Sequence, residues 1–554
     1  MDAGELDGDL EGSARGSERD TATDRTTARS LARAGLTVSS VYLGSRILGY
    51  IQVLVLGTTF GASDDLDSFY TAFRIPDLIF QLVAAGAVAS ALVPMVASLR
   101  ATSDAARAWR IVSTIANLMI IGLLAFAVVA FVAAPALVPV IAPGYAGAKL
   151  DKIVDLTRLM LLAPMFLALG AVATAALNGS QRFAASAVAP VVYNLAIIGA
   201  AVILAPSLGV TGLAIGVVAG SLGHLLVQLP PLLRAGYRYL PRIDLADDQA
   251  RLALFLMGPR VIGQGVTQIT FVVMTALASN LGTGAVTAYT IAFSLLQIPL
   301  GVIGIPLGIV IFPSLAKELA VGRTDHYLEI LTRSLRILAF VMLPITALGM
   351  ALRVQVVELL LGYGRFDQNA VQLTADTLLL FLLGLTAHSV IAVLSRAFYA
   401  RQDTRTPMVA AVLAVAINTT LAVALVGSLG LPAIGLSIAI AAWMEALVLL
   451  FVLRRREGPA LRLRALASVV ARILVAAVIA GGVASLVLGA VQGLLPAGPD
   501  LEGLAAKTVI LVQAVVATLT GAAAYAVVTL ALGVRELRTI ASILADLIRR
   551  RGRS

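Results

Sequence analysis

The sequence predicts an all-α polytopic membrane protein. About fourteen transmembrane helices are expected, as two six-helix lobes related by a pseudo-two-fold along the membrane normal, plus two extra C-terminal helices. Three observations lead there. Of 554 residues, 59% are hydrophobic and 13% charged, with a mean hydropathy of +0.95, far outside the range of soluble chains. Apolar runs of about 20 residues, the length that crosses a bilayer as a helix, recur along the whole chain. The second half also repeats landmarks of the first in the same order.

Cutting at Gly, Pro and charge clusters places the spans near 36–60, 67–98, 111–142, 156–177, 187–205, 211–233, 252–279, 286–315, 337–361, 372–394, 407–427, 432–453, 472–494 and 508–533. The first 35 residues are polar and mixed in charge, read as a disordered cytoplasmic tail without a removable signal peptide. Segments 234–251 and 454–471 are read as cytoplasmic, the first as the linker between lobe 36–233 and lobe 252–453, and 472–533 holds the extra pair. Counting Arg472 at the edge of span 472–494, the N-terminal tail, alternate loops and the basic tail 534–554 hold 32 of the 41 Lys and Arg residues. The other seven loops hold only Lys149, Lys152, Arg365 and Lys507. Basic residues stay on the cytoplasmic side, so both termini are placed there.

The repeat is read by sliding one half over the other. Ser45-Arg46-Ile47-Leu48-Gly49 matches Pro259-Arg260-Val261-Ile262-Gly263 at an offset of 214, and Tyr70 matches Tyr289 and Pro94 matches Pro313 at 219. Ser207-Leu208-Gly209 matches Ser428-Leu429-Gly430 at 221, and Asn194 matches Asn418 at 224. Span 1 thus corresponds to span 7 and span 6 to span 12. Six is even, so the halves run in the same direction, as in transporters whose two lobes enclose a site reached alternately from either side.

Composition excludes several classes. There are no cysteines, and His224, His326 and His388 are scattered, so disulfides, thiolate sites and a histidine metal cluster are not expected. The net charge of +10 and pI near 10.1 are read as the positive-inside signal, not as a nucleic-acid footprint. No hydrolase triad, Walker loop or catalytic carboxylate pair is present, so neither an enzyme nor a cofactor is expected. A coupling ion and the oligomeric state stay open. Membrane lipids are the expected surroundings, and the basic end Arg549-Arg550-Arg551-Gly552-Arg553 is read as a flank to an anionic leaflet.

The candidate site comes from polar stripes on otherwise apolar helices. Span 2 carries Asp67, Tyr70, Arg74, Asp77 and Gln81 at steps of three and four, one helical face. Span 7 carries Arg260, Gln264, Thr267, Gln268 and Thr275, span 8 carries Thr287, Thr290, Ser294 and Gln297, and span 1 adds Tyr42 and Arg46. Such faces can simply glue helices together. Their presence on repeat-related helices, with three arginines among them, favours a wet cavity, because an unpaired charge in hydrocarbon costs about 3 kcal/mol or more. Three arginines against Asp67 and Asp77 leave net positive charge, and guanidinium forks match phosphate oxygens, so an anionic, phosphate-bearing substrate is expected. Pro76, Pro299 and the Gly301, Gly304, Gly308 series suit helices that bend and approach closely. Glu445 beside Trp443 is read as a packing or snorkelling residue in preference to a proton or cation site, and His388 as a packing residue; Arg158 and Arg353 are read as interfacial anchors.

Two segments carry a family resemblance. Arg396-Ala-Phe-Tyr-Ala-Arg-Gln-Asp-Thr-Arg-Thr-Pro407 resembles the FYARQDTKTP signature of the MurJ (MviN) family of lipid II flippases. Ser45-Arg46-Ile47-Leu48-Gly49, Phe60-Gly61-Ala62, Asp67-Ser68-Phe69, Phe73-Arg74-Ile75-Pro76 and Gly86 followed by Pro94 resemble its first two helices, and Gly362-Tyr-Gly-Arg-Phe-Asp367 its loop before helix 10. The resemblance implies the fold of the multidrug/oligosaccharidyl-lipid/polysaccharide exporters. It also implies movement of lipid II, the undecaprenyl-diphosphate-linked peptidoglycan precursor, from the inner to the outer leaflet of the bacterial cytoplasmic membrane. Another polyprenyl-diphosphate glycan, a small-molecule cargo, or a non-transporting scaffold are the alternatives. By resemblance, Arg46 takes the family's helix 1 arginine position, Asp67 its helix 2 acidic position, Arg74 a basic one and Arg260 an arginine early in helix 7. Gln52, Phe80, Ala85 and the Phe293-Ser294 pair stand where many members carry charge, which thins the cationic cluster. At an offset of 219 Val286 and Phe293 stand opposite Asp67 and Arg74, so the charge is expected to lean towards the first lobe, with the diphosphate held there.

Overall fold

The computed structural model describes residues 44–83, 87–102, 104–496, 503–534 and 536, without the side chains of residues 83, 87, 256, 258–264, 266, 267 and 459. The two tails read from the sequence, Tyr42 and Ala85 lie outside the described residues. Among those residues every regular element is helical.

The first half comprises α1 (44–60), α2 (Asp64–Val83), α3 (Ala87–Ala101), α4 (Ala105–Ile141), α5 (Gly147–Met160), α6 (Leu162–Gly179), α7 (Phe183–Ile203), the turn α8 (Ala205–Leu208), α9 (Val210–Leu226) and α10 (Leu229–Arg234). The second comprises α11 (Asp248–Ser279), α12 (Ala285–Pro299), a π-helical turn (Leu300–Gly304), α13 (Ile305–Ala320), α14 (Thr324–Ala351), α15 (Arg353–Leu361), α16 (Gln368–Leu383), α17 (Leu385–Ala400), α18 (Arg405–Leu429) and α19 (Pro432–Glu457). α20 (Leu463–Leu494) and α21 (Leu504–Ala531) follow. Ten of these helices, some jointed, are long and apolar enough to cross a membrane, and the α16–α17 pair, bent by 41°, makes an eleventh if counted as one span. The described parts of the other three expected spans, 36–60, 67–98 and 252–279, are also helical, but none passes the same length and composition test.

Several expected single spans are jointed, with local causes. Pro299 lacks an N–H, and just past it the ladder slips one residue, so that the Ile305 N–H reaches Leu300 O and a π-turn separates α12 from α13. Span 4 breaks at Leu161 and span 10 at Gly384, the same place in the two halves.

The repeat extends into backbone and packing. Gly209 (φ 57°, ψ −141°) and Gly430 (φ 62°, ψ −143°) turn the chain between α7 and α9 and between α18 and α19 with the same left-handed geometry, which a side chain would resist. Gln181 (φ 57°) and Gln402 (φ 59°), the two non-glycine residues with positive φ among those described, are 221 apart and occupy matching turns. Helix pairs repeat as well. The α2–α5, α3–α6, α6–α9 and α7–α9 contacts recur as α12–α16, α13–α17, α17–α19 and α18–α19.

Outside the repeat, α20 packs on α21 and α14. The Tyr525 hydroxyl donates to Phe340 O (2.7 Å), and Lys507 pairs with Glu358 on α15. The linker between the halves is laced to α4. Asn117 Nδ2 donates to Leu240 O and Arg242 O (2.8 and 2.9 Å), its Oδ1 accepts from Tyr239 (2.7 Å), and Arg107 grips Asp247 at 2.7 Å. Asp247 in turn caps α11 by accepting from Gln249 N. The Arg107 hydrogen bond holds the Asp247 carboxyl below its ordinary range.

Candidate functional site

Three of the polar stripes converge. α2 packs against α11 and α12, and a cavity of about 370 Å³ between them is lined by Arg74, Asp77, Gln81, Gln268, Ser294 and Gln297, with Phe271, Tyr289, Thr290 and Phe293 completing the wall. Its two charges are held differently. Arg74 is fixed by the other half of the chain, Nε donating to Thr275 Oγ1 (3.0 Å) and Nη2 to Thr290 Oγ1 (3.3 Å), with its guanidinium over the rings of Phe271 and Tyr289. Two of its five N–H donors are thereby used. Asp77 accepts a long bond from Gln81 (3.4 Å), has Gln268 as a second amide neighbour and feels the charge of Arg74, but makes no ion pair within 4 Å among the described residues.

Asp67 does not join this cavity. It is 0% exposed and acts as a cap across the halves: Oδ2 accepts from Gly284 N (2.7 Å) and Tyr145 (3.3 Å), and Oδ1 accepts from the backbone N–H and hydroxyl of Thr287 (2.8 and 2.7 Å). A carboxylate on the orphan amides of a helix N-terminus meets the positive end of the helix dipole. The placement of Asp67 on a cavity wall is therefore corrected, since its acceptor sites are spent on α12.

The same end of the bundle is closed by further contacts between the halves. Arg365 N donates to Thr58 O (2.9 Å), Gly144 N to Ser279 Oγ (3.1 Å), and Thr283 Oγ1 to Asp64 (2.9 Å), which also pairs with Lys149 at 2.5 Å. A Cβ on Gly61 would collide with Arg365 O, and one on Gly364 with Thr58 O. These close approaches require glycine.

Arg46 lies apart from the cavity, exposed on α1, beside the π-turn; a Cβ on Gly301 would come within 2.7 Å of its Nη1. Gly301 is four residues beyond Gln297, about 6 Å of helix, so Arg46 stands below the cavity on the side away from Asp67. The side chains of Arg260 and Gln264 lie outside the described residues. Phe293 stacks edge-on with Phe271 and Phe381, filling space with aromatic rings, and Ser294 spends its hydroxyl hydrogen on Thr290 O (2.8 Å). Glu445 is half-buried and makes no hydrogen bond or ion pair among the described residues, and His388 Nε2 is buried without a partner. Arg158 lies over Phe131, and Arg353 is 3.6 Å from Asp376. The stripes did not point to Phe271, nor to Tyr289. Tyr289 could have been found through the repeat: it and its mate Tyr70 both bury a hydroxyl without a hydrogen-bond partner.

The family profile described as Lipid II flippase MurJ matches residues 56–498. This chain belongs to the MurJ family. A MurJ relative from Rhizobium tropici, described as a probable lipid II flippase, is 34% identical over 81% of this chain and 85% of its own length. The Lipid II flippase MurJ of Burkholderia cenocepacia is 33% identical over 76% and 84%. A solved structure of a MurJ, described as an inward closed conformation, aligns with a TM-score of 0.72 at 20% identity over 89% of this chain and 98% of that one. An inward-facing multidrug resistance transporter of the MATE family aligns at 0.65 and 16% identity, over 76% and 98%. The fold is that of this superfamily, and the protein is a multi-pass membrane protein.

The MurJ signature segment has a structural explanation here. Asp403 caps α18 by accepting from Thr406 N (3.0 Å) and Oγ1 (2.6 Å), and it pairs with Arg456 of α19 at 2.6 Å. Arg401 pairs with Glu457 and lies over Tyr327 of α14. The segment is thus a clasp joining α14, α17, α18 and α19, remote from the cavity.

Proposed function

We propose that this protein flips lipid II from the cytoplasmic to the outer leaflet of the bacterial cytoplasmic membrane by alternating access, for cell-wall synthesis. The observation that carries the reading is the polar cavity between the halves, walled by Arg74 and Asp77 and sealed at one end by the Asp67 cap on α12. The uneven distribution of Lys and Arg supports cytoplasmic termini and an outer position for the sealed end, in keeping with an inward-facing conformation. Arg46 sits nearer the cytoplasmic side with no hydrogen-bond partner among the described residues, and is positioned to take the diphosphate. The sugar and peptide would then point towards the cavity, and the lipid tail stays in the bilayer. At about 370 Å³ the cavity is near the lower limit for a drug-sized ligand, so a disaccharide–peptide headgroup requires the halves to part further. No chemical step on the cargo is needed.

Growth rescue of a cell depleted of its own flippase tests the reading. The intact chain is expected to restore growth and Arg46→Ala to abolish rescue at equal membrane level. Failure of the intact, inserted chain to rescue would overturn lipid II as cargo. It would favour another polyprenyl-diphosphate glycan, in keeping with Gln52 and Phe293 at family charge positions.

A further inference from the structure

The cavity holds one cationic and one anionic side chain that form no direct ion pair with each other among the described residues. Arg74 and Asp77 are three residues apart on α2, yet Arg74 turns two donors to the threonines of α11 and α12, and Asp77 is met directly only by the neutral amides of Gln81 and Gln268. Leaving both charges without an ionic partner in a membrane interior is costly unless a ligand or water completes them. The rest of the lining is neutral and rich in hydrogen-bonding groups: the carboxamides of Gln81, Gln268 and Gln297, and Ser294. Tyr289, 1% exposed and part of the same wall, has a hydroxyl with no partner. A lone small cation would meet repulsion from Arg74, and a lone anion from Asp77. A group carrying both charges a few ångströms apart meets neither.

We propose that this cavity is a subsite for a zwitterionic amino-acid end, an ammonium and a carboxylate on one carbon. The carboxylate accepts from the free N–H donors of Arg74, the ammonium donates to Asp77, and the glutamine amides take up the remaining hydrogen bonds of these two groups. This inference rests on the flippase reading and names the part of the headgroup that the cavity recognises: a peptide side chain ending in an amino acid. The diphosphate stays with Arg46, so the two anionic features of the cargo are read at different depths.

Full-length protein in nanodiscs, titrated with a soluble peptide ending in meso-diaminopimelate, tests it. The same peptide acetylated at the terminal amine, or amidated at the terminal carboxyl, provides the comparison. Wild type is expected to bind the unmodified peptide at least tenfold more tightly than either modified one. Asp77→Asn should bind the free and acetylated peptides alike, Arg74→Gln the free and amidated ones alike, and Asp77→Glu should keep the wild-type order. Equal or absent binding of all three by wild type overturns the subsite, as does Asp77→Asn retaining the wild-type order. So does affinity at Asp77 that follows sodium or potassium in place of the peptide. Should Asp77→Asn fail to fold, the wild-type ranking alone decides. If the intact chain fails to rescue a flippase-depleted cell while the ranking holds, the lipid II reading falls and the subsite stands.

Discussion

Asp67 on α2 serves as the N-terminal cap of a helix in the other half of the chain, its Oδ1 accepting both the backbone N–H of Thr287 at 2.8 Å and that residue's hydroxyl at 2.7 Å. A stripe residue expected to meet the cargo instead holds one end of the bundle shut.

Asp67→Ala should therefore open that end. It strands two buried amides and two hydroxyls, those of Thr287 and Tyr145, each costing about 1–3 kcal/mol when left unsatisfied. The chain has no cysteine, so a pair introduced at Asp64 and Thr283, whose side chains touch at 2.9 Å, can report closure without background. The pair should cross-link readily in the parent and several-fold less with Asp67→Ala. Unchanged yield would remove Asp67 from the seal.

Gly301→Ala separates stability from transport. A methyl in a helix interior gains about 1 kcal/mol over glycine, but here it comes within 2.7 Å of Arg46 Nη1 and pushes that flexible side chain away. Melting temperature should hold or rise while growth rescue falls. Full rescue would show that the position of Arg46 beside the π-turn is immaterial.

The signature clasp predicts a pH dependence. Burial raises the Asp403 carboxyl, but hydrogen bonds from Thr406 and Arg456 outweigh it and hold the group down to about 2. A depressed carboxylate stabilises the fold above its unfolded value of about 3.9, and that contribution is lost as pH falls through about 2. Asp403→Asn should melt below wild type at pH 7, and the gap should narrow between about pH 4 and pH 2. A gap that is constant with pH would mean the carboxylate charge is not what matters.

Asn117→Ala should loosen the linker. Three hydrogen bonds to residues 239–242 are lost, at about 1 kcal/mol each, so amide exchange across 237–247 should speed up by roughly a hundredfold. Exchange in α4 itself should change little. An unaltered rate in the linker would show that the Arg107–Asp247 pair suffices to hold it.

Much of the fold could be read from the sequence, because membrane helices state their length and polar face locally. The repeat paired Gly209 with Gly430, which turn alike in the structure, and Pro299 suggested a bend where the π-turn lies. The cavity was half legible. Periodicity placed Arg74, Asp77, Gln268, Ser294 and Gln297 on facing stripes, and the structure brings them together. Periodicity does not give depth along the bundle or the partner across it, so Asp67, on the same face as Arg74 but nearer the end of α2, was grouped with the cavity. Nor does it reveal that Arg74 would spend donors on Thr275 and Thr290. The Arg396–Pro407 segment was recognisable only by resemblance, because its clasp joins residues about 50 positions apart, as Thr406 and Arg456 do.

The lacing of the linker onto α4 gives the second half a fulcrum. α11 starts just after its cap Asp247, pinned by Arg107, and runs 32 residues, about 48 Å, to the end where Asp67 engages α12. A helix anchored at its base acts as a lever: a tilt of about 10° would sweep its tip through roughly 8 Å over that length. That exceeds the reach of any hydrogen bond Asp67 makes. A small rotation about Asp247 would thus be enough to part Asp67 from the helix it caps, with the hinge and the latch at opposite ends of one rod.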